Sequence, residues 1–233
     1  MGDDIAMVLP NNVLVVAAHP DDEVLGCGGT VARLTRQGVK VSVLILGEGI
    51  TSREKGGGKN KEALARLKEQ AKEAVSRLGV HELVFGDFPD NRFDAVARLD
   101  IIHVIEREMD RLQPEVIFTH HGGDLNIDHQ ITFEAVITAA RPLPRVPVKA
   151  ILAFEVLSST EWAFGRLPFA PRVFVDISST LERKIEAMKI YAGEIRGFPH
   201  PRSEGGIEAL AKKRGTEAGL PAAEAFELVR WVW

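Results

Sequence analysis

Short apolar runs alternate with longer amphipathic stretches along this chain. Val13–Ala18 (VLVVAA) is rich in β-branched residues and reads as a strand buried on both faces. Gly28 to Arg36 then has the helical period, with Val31, Leu34 and Thr35 on one side and Gly38 as its stop. Val39 to Leu46 (VKVSVLIL) is a second strand, followed by a polar, glycine-rich loop from Gly47 to Lys59. Asn60 is placed to cap a helix through Leu78, which Gly79 closes. His81 to Phe85 is a short strand, and Ala95 to Leu112 is helical, with Leu99, Ile102, Ile105 and Met109 in register. Beyond Pro114, Glu115 to His120 (EVIFTH) is a strand and His129 to Arg141 a helix. Ala150 to Glu155 and Arg172 to Asp176 predict two more strands, and Ser179 to Gly193 a strongly amphipathic helix.

Strands and helices alternating at these lengths predict an α/β fold, a mostly parallel sheet with helices on both faces. Such sheets bind ligands beyond the carboxyl ends of their strands. Three unusual polar clusters fall at that edge: His19–Glu23, Glu48–Arg53 and His120–His129. No internal repeat, low-complexity tract or linker divides the chain, and RPLPRVP, Arg141 to Pro147, reads as a loop. A single domain over residues 1–233 is expected. The tail ELVRWVW alternates apolar and polar residues and ends in two tryptophans, which suggests an edge strand or an oligomer interface.

Composition narrows the function classes. With 45% hydrophobic and 27% charged residues, the 233-residue chain is of ordinary globular type. A net charge of -4 argues against a nucleic-acid partner, which calls for a basic patch. No apolar run approaches the roughly 20 residues of a transmembrane helix. The first residues, MGDDIAMVLPNN, are short and acidic, unlike a signal peptide. Cys27 is the only cysteine, which fits a reducing, cytoplasmic setting. It reads as a small buried side chain with no partner for nucleophilic chemistry.

The candidate chemistry lies in His-Pro-Asp-Asp-Glu, residues 19–23, and in THHGGDLNIDHQ. Pro20 stiffens the first loop and biases His19 away from helical geometry. Two histidines and one carboxylate from two strand ends would make a zinc site with a position open for water. A neighbouring carboxylate could take that water's proton and pass it to a leaving amine. Two adjacent aspartates allow the split, one binding metal and one handling protons. Ferrous iron suits the same ligand types. The alternative is that the histidines are strand-end residues and Asp-Asp a helix cap, since neither cluster has zinc-finger or zincin spacing. His81 and His103 read as ordinary surface or helix residues.

AHPDDEVLGCGGT closely resembles the first signature of the PIG-L/LmbE-like zinc-dependent N-deacetylases. DLNIDHQ resembles their second signature, and AEAFELVR their C-terminal segment. The resemblance covers nearly the whole chain and implies a Rossmann-like fold. By motif position it implies His19, Asp22 and His129 as zinc ligands, Asp21 as general base, and Asp128 as a carboxylate orienting a histidine. Glu23 would brace the loop. Many members carry a histidine where this chain has Asn126, three residues before the last ligand, and that histidine is thought to stabilise the oxyanion. Asn126 can donate a hydrogen bond there but carries no charge. His200, in FPHPRS, is a candidate to replace it, with His120 or His121 next.

Arg53 is a candidate for a sugar hydroxyl or phosphate, and Glu48 for sugar hydroxyls; a solvated arginine and a loop-capping glutamate are the alternatives. Arg202 could meet an anionic group or form a salt bridge. GCGGT lacks Gly-x-Gly-x-x-Gly spacing and reads as tight helix–strand packing. The expected function is removal of an N-acetyl group from an amino sugar or its conjugate. An amidase of sugar–thiol conjugates and a non-catalytic sugar- or nucleotide-binding module are the alternatives. Specificity would lie in Gly49–Lys59 and Ser158–Pro171, where Trp162 and Phe164 could stack on a sugar or plug a surface. Family members often form trimers or hexamers, so a homo-oligomer is expected by resemblance.

Overall fold

The computed structural model describes residues 9–49, 61–144 and 146–232. In chain order, β1 is Asn12–Ala17, α1 Asp22–Arg36, β2 Lys40–Gly47, α2 Lys61–Arg77, β3 Glu82–Phe88, α3 Arg98–Leu112 and β4 Val116–His120. There follow α4 Ile127–Ala139, β5 Ala150–Phe154, β6 Val173–Asp176, α5 Leu181–Ile190, α6 Glu204–Ala218 and β7 Ala223–Trp231. The strands form one seven-stranded sheet in the order β3-β2-β1-β4-β5-β7-β6. The first five are parallel, and β7 runs antiparallel to both β5 and β6.

The two-residue period of β1 explains the layering. Val13, Val15 and Ala17 face a core shared with α1, α2 and α5, whereas Leu14, Val16 and Ala18 face one shared with α3 and α4. Leu14, Val15, Val16 and Ala17 have no exposed surface, as expected of a central parallel strand covered on both faces. From β1 the chain moves outward to β2 and β3, then returns to place β4 on the other side of β1. The order therefore reverses between β1 and β4, and a crevice opens beyond their carboxyl ends.

The structure differs from expectation at two places and meets it at a third. Leu99 is 58% exposed, because Ile101 takes the inward position of α3 along with Ile102, Ile105 and Met109. Within β7, Ala223–Phe226 pair with β6, whereas among the described residues Glu227, Leu228, Arg230 and Trp231 pair with β5 alone, so the C-terminal tail is a sheet edge as expected. A further helix, α6, occupies residues 204–218, where Gly205, Gly206 and Gly215 dilute the helical signal; Ser203 caps it by accepting the Gly206 N–H at 3.0 Å. Among the described residues no helix is long and apolar enough to cross a membrane.

Candidate metal centre and catalytic cavity

A cavity of about 520 Å³ opens where β1 and β4 diverge. His19, Asp21 and Asp22 reach it from the β1–α1 turn, and Asn126, Ile127 and His129 from the start of α4. Asp90 and Asn91 enter after β3, Ser158, Ser159 and Trp162 after β5, and Glu194 and Arg202 between α5 and α6.

Asp22 opens α1, and its Oδ2 is the centre of the polar cluster. This atom lies 3.3 Å from His19 Nδ1 and 3.2 Å from His129 Nε2. Both distances match the roughly 3.3 Å that separates the ligands of a tetrahedral zinc, and ligand atoms of His19, Asp22 and His129 all lie within 4.8 Å of one another, a group that could hold a metal ion. The other nitrogen of each imidazole meets a carboxylate. His19 Nε2 is 3.0 Å from Asp128 Oδ2, and His129 Nδ1 is 3.1 Å from Asp124 Oδ1. Asp128 is hydrogen-bonded to His19 and can fix its tautomer, while Asp124 stands beside His129 as a charge; carboxylates in these positions would turn the opposite nitrogens toward a bound ion. Both are themselves held: Asp128 Oδ1 accepts the Phe93 N–H at 3.0 Å, and Asp124 Oδ2 accepts Thr160 Oγ1 at 2.5 Å. Asp90 Oδ1 adds a further carboxylate 3.2 Å from His19 Nε2, so His19, Asp90 and Asp128 also converge.

The charges follow from this setting. Burial alone would lower both imidazoles, but hydrogen bonds and the charges of Asp22, Asp90, Asp124 and Asp128 win, taking His19 to about 10 and His129 to about 9. The pocket therefore favours positive charge at its centre, which a divalent ion satisfies in place of protons.

The two adjacent aspartates diverge. Burial works against ionisation of Asp22, yet the charge and hydrogen bond of His129 hold its carboxyl well below the usual range. Burial pushes Asp21 well above that range, with Arg202 opposing. Asp21 has φ 104°, a region that non-glycine residues rarely adopt. That conformation is held from both sides: the Asp21 N–H donates to Glu23 Oε2 at 3.0 Å, and Arg202 Nη1 donates to Asp21 Oδ2 at 2.7 Å. Glu23 is anchored by the Tyr191 hydroxyl at 2.6 Å, and burial takes its carboxyl up to about 7.

A sequence model described as PIG-L: GlcNAc-PI de-N-acetylase matches residues 14–140, more than half of the chain. The chain belongs to the PIG-L family. It is 28% identical over 225 residues to the diacetylchitobiose deacetylase of Thermococcus kodakarensis, covering 93% of this chain and 82% of that protein. The solved N,N'-diacetylchitobiose deacetylase of Pyrococcus horikoshii matches with a TM-score of 0.78 at 20% identity, over 95% of this chain and 84% of that one, a likeness of fold. The 4-carboxy-2-hydroxymuconate hydratase of Pseudomonas putida KT2440 matches with a TM-score of 0.76 at 25% identity, over 96% and 98%.

Against the PIG-L signatures, the remaining residues sort by position. Asn126 is the cap of α4: its Oδ1 accepts the Asp128 N–H at 2.8 Å, and its Nδ2 donates to Asn91 Oδ1 at 3.1 Å. His200 does not line the cavity; its Nδ1 accepts the Arg202 N–H at 3.1 Å, and its ring stands edge-on to Trp162. Neither His120 nor His121 lines the cavity. His120 is fully buried, is kept neutral by burial, and accepts the Ala18 N–H on Nε2 at 2.8 Å while stacking 3.9 Å from His129. His121 bonds to Glu227 at 2.5 Å and to the Leu167 carbonyl at 2.9 Å. Glu48 is buried at the end of β2 and off the cavity lining, where Gly49 is found instead. Arg53 lies outside the described residues.

Asp90, Glu194 and the grip of Arg202 on Asp21 were not legible as site features. Asp90 carried one available signal, a Pro-Asp-Asn turn after a strand at the binding edge of the sheet. Glu194 carried none, since it reaches the cavity only through the packing of α5.

Proposed function

We propose that this chain is a zinc-dependent N-deacetylase of acetylated amino sugars or their conjugates, releasing acetate and a free amine. The observation that carries this is the gathering of ligand atoms of His19, Asp22 and His129 within 4.8 Å of one another, in a cavity that Asp21 also lines.

His19, Asp22 and His129 would hold the ion. Zinc bound there supplies a Lewis acid for an amide carbonyl and brings the pKa of a water to about 7. Asp21 is the proton carrier, taking a proton from the attacking water and returning it to the departing amine nitrogen. Arg202 occupies Asp21 Oδ2 and leaves Oδ1 for that proton. Asn126 Nδ2 keeps one hydrogen beyond the one it gives Asn91, which suits it to a developing oxyanion. His200 is less well placed for that role. Asp90, Asn91 and Asn126 offer partners for sugar hydroxyls, and Trp162, Leu125 and Ile127 offer apolar surface for the ring faces.

The hydratase relative raises a second use of the same water-activating groups. The cavity lining carries Asp21, Asp22, Asp90 and Glu194 against Arg202, the one guanidinium or ammonium among its described residues. A bound divalent ion offsets two of those charges; Asn91, Asn126 and Trp162 in the lining suit a neutral acetamido sugar.

The test is acetate release by zinc-loaded protein from N-acetylglucosamine, chitobiose-type oligomers and nucleotide-activated sugars. Release from at least one is expected, with Asp21→Asn retaining zinc and losing at least about 100-fold in kcat, and Asp22→Ala losing the zinc. No acetate from any of them would overturn the reading in favour of a conjugate amidase, a hydratase or a binding module. Near-normal turnover by Asp21→Asn would remove Asp21 as the base.

A further inference from the structure

The helix that begins with Asp22 is broken five residues later. Cys27 has φ −147° and ψ 18°, so α1 is two helical pieces, a short one carrying Asp22 and a longer one from Gly28 onward. In a continuous helix the Gly29 N–H would donate to the Leu25 carbonyl. Here the two halves of that bond meet a buried ion pair. Gly29 N–H donates to Glu224 Oε1 at 2.9 Å, and Leu25 O accepts from Lys184 Nζ at 2.8 Å. Lys184 Nζ and Glu224 Oε1 then meet each other at 2.6 Å. Glu224 Oε2 also takes the Thr30 N–H at 2.6 Å, so one carboxylate from β7 caps the longer piece while one ammonium from α5 caps the shorter. Glu224 is 5% exposed and Lys184 4% exposed.

We infer that Lys184 and Glu224 are positioning residues for the metal centre. Spliced into the helix ladder, the pair sets the angle at which the piece bearing Asp22 leaves α1. Asp22 Oδ2 must stay within about 3.3 Å of two imidazole nitrogens carried by other segments, so a small change in that angle is felt at the ion. A buried ion pair is a poor stabiliser in itself and is often replaceable by apolar side chains of similar size. That makes geometry, not stability, the property it confers here. Gly26 and Gly29 belong to the same device. A methyl group on Gly26 would sit 2.3 Å from the Phe154 ring, and one on Gly29 2.9 Å from Ile177, so the break is seated directly on β5 and on the residue after β6.

This rests on Asp22 as a metal ligand, as proposed above. The experiment measures zinc affinity by chelator competition and the visible spectrum of the cobalt-substituted protein. It compares wild type, Glu224→Gln and the paired Lys184→Met/Glu224→Leu variant, with circular dichroism and thermal unfolding alongside. Zinc affinity is expected to fall about 10–100-fold in both variants. The cobalt spectrum should change, and the paired variant should keep native dichroism. Folded variants with wild-type affinity and spectrum would overturn the inference. So would an affinity loss that merely tracks loss of native dichroism, which would reduce the pair to a structural element. Zinc binding is read without substrate, so a protein that binds zinc but releases no acetate would fail the functional proposal and leave this one standing.

Discussion

Asp21 and Asp22 share a side chain and a peptide bond yet face opposite electrostatic settings. Asp22 is surrounded by imidazoles and is held ionised; burial raises the Asp21 carboxyl while the Arg202 guanidinium opposes that rise, as suits a group that both takes and returns a proton. The division of labour proposed for them would come from what each side chain touches, since neighbouring positions in a tight turn point different ways. The HPDDE run announced a special turn, but only the tertiary contacts separate the two acids. The same holds for Asp124. Its place in the DLNIDH segment was evident, whereas its 3.1 Å approach to His129 Nδ1 follows from the fold of the β4–α4 loop. Asp124→Asn keeps the shape and removes the charge that orients His129. Zinc affinity is expected to drop about 10–100-fold, by chelator competition, with the thermal midpoint of the metal-free protein changing little by comparison.

Elements meet closely at two informative places. The first is the break in α1, where the Gly26 Cα lies against the Phe154 ring. Gly26→Ala is expected to destabilise the protein by about 1–3 kcal/mol in urea unfolding, because the phenyl ring is packed and cannot withdraw. GCGGT was readable as close packing; that the surface opposite is β5 was not. The second place is the end of β4, where His121 pairs with Glu227 of β7. Burial works against charge on both partners, but their mutual hydrogen bond prevails, raising His121 above 6.5 and lowering Glu227 below 4.5. A raised histidine adds stability that is complete below 6.5 and is lost as pH rises through its folded pKa. A lowered glutamate adds stability that is complete above 4.5 and is lost as pH falls through its folded pKa. The pair therefore contributes fully between pH 4.5 and 6.5. Glu227→Gln is expected to flatten the pH dependence of the unfolding free energy on both sides of that window, as followed by urea titrations at stepped pH.

The described residues form two main apolar layers around a central sheet, and neither layer includes His19, Asp22 or His129, the ligands proposed for the metal. Chelation is therefore expected to leave the native circular dichroism intact, unlike in a zinc finger. Zinc at 100 times its dissociation constant adds about 2.7 kcal/mol, which for a chain of this size raises the thermal midpoint by ~5–10 °C; calorimetry with and without zinc checks this. By itself the sequence determined the succession of strands and helices, because hydrophobic period is a local property, and it pointed to the carboxyl edge of the sheet as the place of chemistry. It could not determine that β7 would enter between β5 and β6. Nor could it show that Glu224 and Lys184 would meet inside α1, or that Arg202 would grip Asp21. Those partners are 40 to 181 residues apart, and distances across such separations are decided only when the layers pack and each buried charge must find the one geometry that satisfies it.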